Sequence, residues 1–145
     1  MNTKNIYGSS SNDTRHRNLY ALYGLSSSPL EFTLNNISDD YSASTSTTGS
    51  LAIGATSTGN IETARDYDWF AVDLVADNTY QIDLEGSSTS AGTLDDPYFD
   101  GIYDSSGSYI SGTYDDDGGT GRNSQLTYTA TSTGTHYFAA GAYVS

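Results

Sequence analysis

The chain has 145 residues, 35% of them hydrophobic, and its 18 acids against five Lys and Arg leave a net charge of −13. That length fits one ordinary domain. The scarcity of basic residues argues against nucleic acid as a partner, the lack of any apolar run of ~18 residues against a membrane-spanning helix, and the absence of cysteine against disulfides, thiolate metal sites and a catalytic thiol.

Charge is unevenly placed along the chain. Lys4, Arg15 and Arg17 outnumber Asp13 and Glu31 over residues 1–38, whereas Arg65 and Arg122 face all the remaining acids over residues 39–145. Residues 1–34 read as an N-terminal extension or linker, with turn chemistry from Asn5 to Asp13 and a short apolar run over Asn18–Tyr23. Lys4 is followed by no apolar segment, so this stretch does not read as a signal peptide. Residues 35–145 read as the folded domain. Only Glu31, Glu62 and Glu85 are glutamates; the other acids are Asp, which favours turns and cation sites over helices.

From residue 50 the hydrophobic period is two. Ser50–Gly54 reads as a short strand. Asp68–Val75 puts Phe70, Val72 and Leu74 on one face and Trp69, Ala71 and Asp73 on the other. Ala76-Asp77-Asn78 is turn chemistry, and Thr79–Glu85 then alternates with Tyr80, Ile82 and Leu84 inward, which reads as a hairpin with one wet face. After a polar loop over Gly86–Gly92, Tyr98–Tyr103 is a strand interrupted by Gly101, a bulge signal. Asp104–Gly107 is a turn, Ser108–Tyr114 a strand, and Asp115–Gly121 a long turn. Ser124–Ala130 and Thr135–Ala140 close the series, joined by a turn over Thr131–Gly134. Short strands at this spacing describe an all-β, antiparallel β-sandwich of jelly-roll type. The Tyr-rich alternation also argues against the disorder that so acidic a composition otherwise suggests.

No catalytic constellation is visible. The two histidines are His16 and His136, and His136 reads as a half-buried strand residue with no elbow motif beside it. Gly118–Gly121 is followed by no Lys-Ser/Thr and so is no phosphate loop. Calcium fits better, because it takes 6–8 oxygen ligands. Asp39-Asp40, Asp66-Tyr67-Asp68, Asp95-Asp96 and Asp115-Asp116-Asp117 crowd carboxylates at strand ends, where they repel one another unless a cation intervenes. The EF-hand pattern fails, since Leu126 stands where its bidentate Glu belongs. The nonapeptide calcium repeat fails for want of a second copy.

Several of these stretches together carry a resemblance. They are Asp66–Val72 with Tyr80–Leu84, Thr93–Tyr98, Gly101–Gly107, Asp115–Gly121 and Gly134–Ala140. In order and spacing, over about 100 residues, the chain from Asp39 to Tyr143 resembles the bacterial pre-peptidase C-terminal domain and, through it, the collagen-binding domains of clostridial collagenases. The resemblance implies a sandwich of about eight or nine strands, without catalytic residues, secreted beside a protease or another exported enzyme. It implies calcium held between an N-terminal linker and the loop before the Asp-Tyr-Asp-Trp-Phe strand. Asp39 and Asp40 match the linker acids and Asp66 a loop acid, with Glu62 and Asp68 close by. Asp96, Asp115 and Asp117 are further candidate ligands. The family closes with one more strand after a Gly-Thr-Tyr turn; this chain is therefore expected to lack its last strand or to replace it from residues 1–34, through Asn18–Tyr23.

Two functions follow as expectations. The first is a non-catalytic, calcium-stabilised accessory module of a secreted bacterial protein, packed beside neighbouring domains in the extracellular space. The alternative is an adhesion module for collagen or polysaccharide, with Tyr98, Tyr103 and Tyr114 as the ligand-binding surface and Tyr109 and Tyr128 as further candidates, since tyrosines present flat amphipathic faces.

Overall fold

The structure is a computed structural model that describes residues 38–143. The expected extension over 1–34, including Asn18–Tyr23, lies outside these residues. The described chain is a two-layer, all-β sandwich. Its strands are β1 (Gly49–Ser50), β2 (Tyr67–Leu74), β3 (Thr79–Leu84), β4 (Pro97–Tyr103), β5 (Ser124–Thr129) and β6 (Gly134–Ala142), with one 3-10 turn over Ser87–Thr89. A four-stranded sheet has the order β1-β2-β6-β4 and a two-stranded sheet pairs β3 with β5. No helix among the described residues is long and apolar enough to cross a membrane.

Alternation decides which face each strand buries. Val72 and Leu74 of β2, Phe99 and Ile102 of β4 and Phe138 of β6 point to the interior, where they meet Ile82 of β3 and, at its margin, Leu84, Leu126 and Tyr128. Truncating a residue such as Phe138 to Ala in so closed a core costs about 3–5 kcal/mol. The opposite face of the four-stranded sheet is aromatic. Trp69 stacks on Tyr103 at 4.1 Å and on Tyr137 at 5.7 Å between ring centroids.

Four expectations change. The sandwich is not wholly antiparallel, because β1 runs parallel to β2. That first strand is shorter than expected: the chain turns after Leu51, leaving Ile53 60% exposed and Gly54 at φ +80°. The β2–β3 hairpin does not form. Both edges of β2 are already hydrogen-bonded, to β1 and to β6, so the chain crosses to the other sheet. Asp77 N–H donates to Ala130 O at 2.8 Å and Ala130 N–H to Asn78 O at 3.0 Å, tying this crossover to the β5–β6 connection. Finally, Ser108–Tyr114 is no continuous strand, with isolated bridges only at Tyr109 and Asp115. Gly112, at φ +80°, turns the chain, and the Thr113 hydroxyl accepts the Ile102 N–H at 2.9 Å in place of a ladder carbonyl. The bulge expected at Gly101 is present: the β4–β6 register shifts between Phe99 and Gly101.

Candidate metal centre

Asp68 has the same parity on β2 as Phe70, Val72 and Leu74, so the strand carries its carboxylate inward at the end of the sandwich. The residue is 2% exposed, and its Oδ1 is sealed from solvent with no hydrogen-bond partner. A buried, unpartnered carboxylate is costly, and a proton or a cation relieves it. Gly59 lets the neighbouring loop close over this group. A Cβ there would lie 2.5 Å from Asp68 Oδ2 and 3.3 Å from the Tyr41 ring.

Three further acids converge on Asp68. Asp39, Glu62 and Asp66 each contribute one carboxylate oxygen, and these atoms and one of Asp68 all lie within 4.8 Å of one another. Oxygens bound to one calcium ion, at about 2.3–2.6 Å each, span such distances. The loop is shaped for this convergence. Asp66 Oδ2 accepts the Glu62 N–H at 3.0 Å, Asp66 N–H closes a turn on Thr63 O at 3.1 Å, and Arg65 takes φ 69°. Asp40 stands beside the group. Its Oδ2 accepts the backbone and side-chain amides of Asn60, both at 3.1 Å. Its Oδ1, like Glu62 Oε2, is buried and unpartnered.

The electrostatics follow from this crowding. Burial, and then the charges of Asp40, Asp66, Glu62 and Asp39, push the Asp68 carboxyl up to about 8. Burial, with Asp66 and Asp40 nearby, also raises Glu62. The donor set consists of carboxylate oxygens, without sulfur or imidazole, which suits a hard cation rather than zinc or copper.

A smaller acidic group lies at the start of β4. Asp96, Asp116 and Asp117 converge, and Oδ1 of both Asp96 and Asp116 is buried without a partner. Burial and the neighbouring acids raise Asp116. Arg122 already supplies a positive charge here, 3.2 Å from Asp96 Oδ2 and 3.5 Å from Asp95 Oδ2. Asp115, expected as a ligand, stands outside this group. Its Oδ2 accepts the N–H of Gly118 at 2.9 Å and of Gln125 at 2.8 Å and so closes the turn. Asp116 was not expected as a ligand; its neighbours in the run give no signal that separates the three positions.

Of the tyrosines singled out, Tyr98, Tyr103, Tyr109 and Tyr114 line one hollow on the outer face with Asp100. Tyr128 instead packs against the core. His136 is fully buried rather than half-buried, with Nδ1 2.9 Å from Gly134 O and Nε2 3.4 Å from Ser132 Oγ. Comparison with protein-family models, with curated proteins and with solved structures returns no match for this chain.

Proposed function

We propose that this domain is a calcium-stabilised, non-catalytic accessory module of an exported bacterial protein. Asp39, Glu62, Asp66 and Asp68 are its cation ligands, with Asp40 beside them. The single observation that carries the reading is Asp68: a carboxylate 2% exposed, with an orphaned oxygen, aimed into three other carboxylates. Folding such a group without a counter-charge works against stability, whereas a divalent cation turns the repulsion into attraction. The ligands come from three segments: the stretch at Asp39, the loop holding Glu62 and Asp66, and β2. An ion therefore staples the start of the described chain to the sandwich, and its binding free energy adds to folding stability. The secreted setting and a neighbouring protease are what the resemblance of Asp66–Val72, Tyr80–Leu84 and Gly134–Ala140 to pre-peptidase C-terminal domains implies, a resemblance that no family-model match accompanies. Extracellular calcium modules work with dissociation constants of about 10⁻⁴–10⁻³ M, a range this partly exposed site fits.

Calorimetric titration of calcium and of magnesium into the EDTA-treated, dialysed protein tests the reading. Calcium is expected to bind saturably. Magnesium, which demands short octahedral bonds and dehydrates reluctantly, is expected to bind at least about tenfold more weakly. Absence of saturable calcium binding up to about 10 mM, ten times the weakest dissociation constant in that range, contradicts the proposal.

A further inference from the structure

The bulge in β4 builds a different kind of site on the outer face of the four-stranded sheet. Where the register slips between Phe99 and Gly101, the side chain of the extra residue is re-aimed. That residue, Asp100, joins Tyr98 and Tyr103 in the wall of an open hollow of about 240 Å³. The chain after β4 then doubles back along the free edge of that strand. Ile110 N–H donates to Ile102 O at 2.8 Å, and Phe99 and Asp115 exchange backbone hydrogen bonds at 2.9 and 3.0 Å. This return brings Tyr109 and Tyr114 into the lining of the same hollow, with Tyr109 against Tyr103 at 5.6 Å between ring centroids.

The walls are held in place. Tyr103 is stacked on Trp69, and its hydroxyl donates to Asp100 Oδ2 at 2.6 Å. Tyr109 lies over Gly101, where a Cβ would come within 2.5 Å of its ring and where φ is +142°. Burial, and then the hydrogen bond to Asp100, hold the Tyr103 phenol far above its ordinary value; burial and the Asp100 charge raise Tyr98 in the same direction. The Tyr98 and Tyr103 rings therefore stay neutral. The Tyr103 bond occupies Asp100 Oδ2, and Oδ1 makes no hydrogen bond among the described residues.

The chemistry of the hollow selects its occupant. Four tyrosines and one carboxylate line the space, and no basic side chain among the described residues does. Tyrosine faces attract a cation within about 6 Å of the ring centroid, and the carboxylate adds an ionic hydrogen bond. Tyr103 and Tyr109 meet at 62°, forming walls rather than the flat platform on which a sugar ring stacks. The volume falls below the ~300 Å³ at which whole small-molecule pockets begin, so a side-chain head group fits better than a complete ligand. The chain's charge of −13 draws basic partners to it. We infer that this hollow receives a lysine or arginine side chain of a basic polypeptide, its ammonium or guanidinium against Asp100 Oδ1 and its flanks against Tyr98, Tyr103, Tyr109 and Tyr114.

The test is an NMR titration of the full chain, in calcium and at about 0.15 M salt, where exposed charges are well screened. The probes are N-acetyl-arginine amide, N-acetyl-lysine amide and the neutral citrulline analogue. Saturable ring shifts confined to the four tyrosines are expected with the cations and none with citrulline. Asp100→Asn and Tyr114→Ala are each expected to weaken cation binding about threefold or more. Tyr114 is 60% exposed, so its removal is compatible with folding, and an unchanged melting temperature in calcium verifies this for both variants. Shifts spread over the acidic surface and insensitive to Asp100→Asn overturn the inference. So does an equal response to citrulline, or a response to a neutral oligosaccharide with none to either cation.

Discussion

Asp68→Asn is expected to move stability in opposite directions with and without calcium. In calcium the variant loses the ligand at the heart of the cluster, and affinity falls by about 100-fold or more. Its melting temperature then no longer responds to the ion. In EDTA near pH 8.5 the same change removes a buried charge from among Asp39, Asp40, Glu62 and Asp66, and the variant should melt above the parent. Each 1 kcal/mol relieved corresponds to about 4–8 °C in a domain of roughly this size. At about pH 3.5 in EDTA the two proteins should melt together, because Asp68 is then largely protonated in the folded and the unfolded chain alike and resembles the amide. A side chain that merely filled space would shift stability the same way in both buffers. Equal destabilisation with and without calcium contradicts the cation role of Asp68.

Calcium affinity is expected to depend on pH well above the ordinary carboxylate range. Asp68 is pushed up to about 8, by burial first and by four neighbouring acids after it. Without calcium the folded protein thus holds a proton that the unfolded chain, with an ordinary Asp value near 4, has already released. Between those values the folded state binds more protons, so stability in EDTA falls as pH rises through about 8. Calcium must displace that proton. Its affinity should rise by up to about tenfold per pH unit from pH 6 to pH 8 and then level off, with about one proton released per ion near pH 7. Titration in two buffers of different ionisation enthalpy reads the proton directly. A flat profile above pH 6 with no proton release contradicts a shared proton in the cluster.

Much of the sandwich was legible because alternation is local. The facing of β2, the inward Ile82 and Leu84, and the bulge at Gly101 all follow from the period and from turn residues. Strand partners were not legible. The turn at Ala76-Asp77-Asn78 looks the same whether the chain forms a hairpin or crosses between sheets, and the outcome rests on β6 and β1 occupying both edges of β2. The broken stretch after Ser108 hid for a related reason, since the Thr113 hydroxyl substitutes for a strand partner found only in three dimensions.

The candidate metal centre shows the same division. The sequence pointed to Asp39, Asp40, Glu62, Asp66 and Asp68, and the structure brings four of them into one cluster with Asp40 beside it. The sequence carries a further signal at Asp68. Asp68 shares the parity of Phe70, Val72 and Leu74, and an inward carboxylate on a core strand marks a group in need of a partner. In the run from Asp115 to Asp117, by contrast, only the fold separates roles. Asp115 closes a turn on the Gly118 and Gln125 amides, while Asp116 and Asp117 face Asp96.

The measurement that bears most directly on the proposed calcium site is a thermal melt of the purified chain in millimolar calcium and in EDTA at the same ionic strength. In about 10 mM calcium, roughly ten to a hundred times a dissociation constant of 10⁻³–10⁻⁴ M, binding contributes roughly 1.4–2.7 kcal/mol. At about 4–8 °C per kcal/mol, the melting temperature is expected to rise by several degrees or more. Cooperative melts that superimpose in the two buffers would contradict a structural calcium ion at Asp39, Glu62, Asp66 and Asp68.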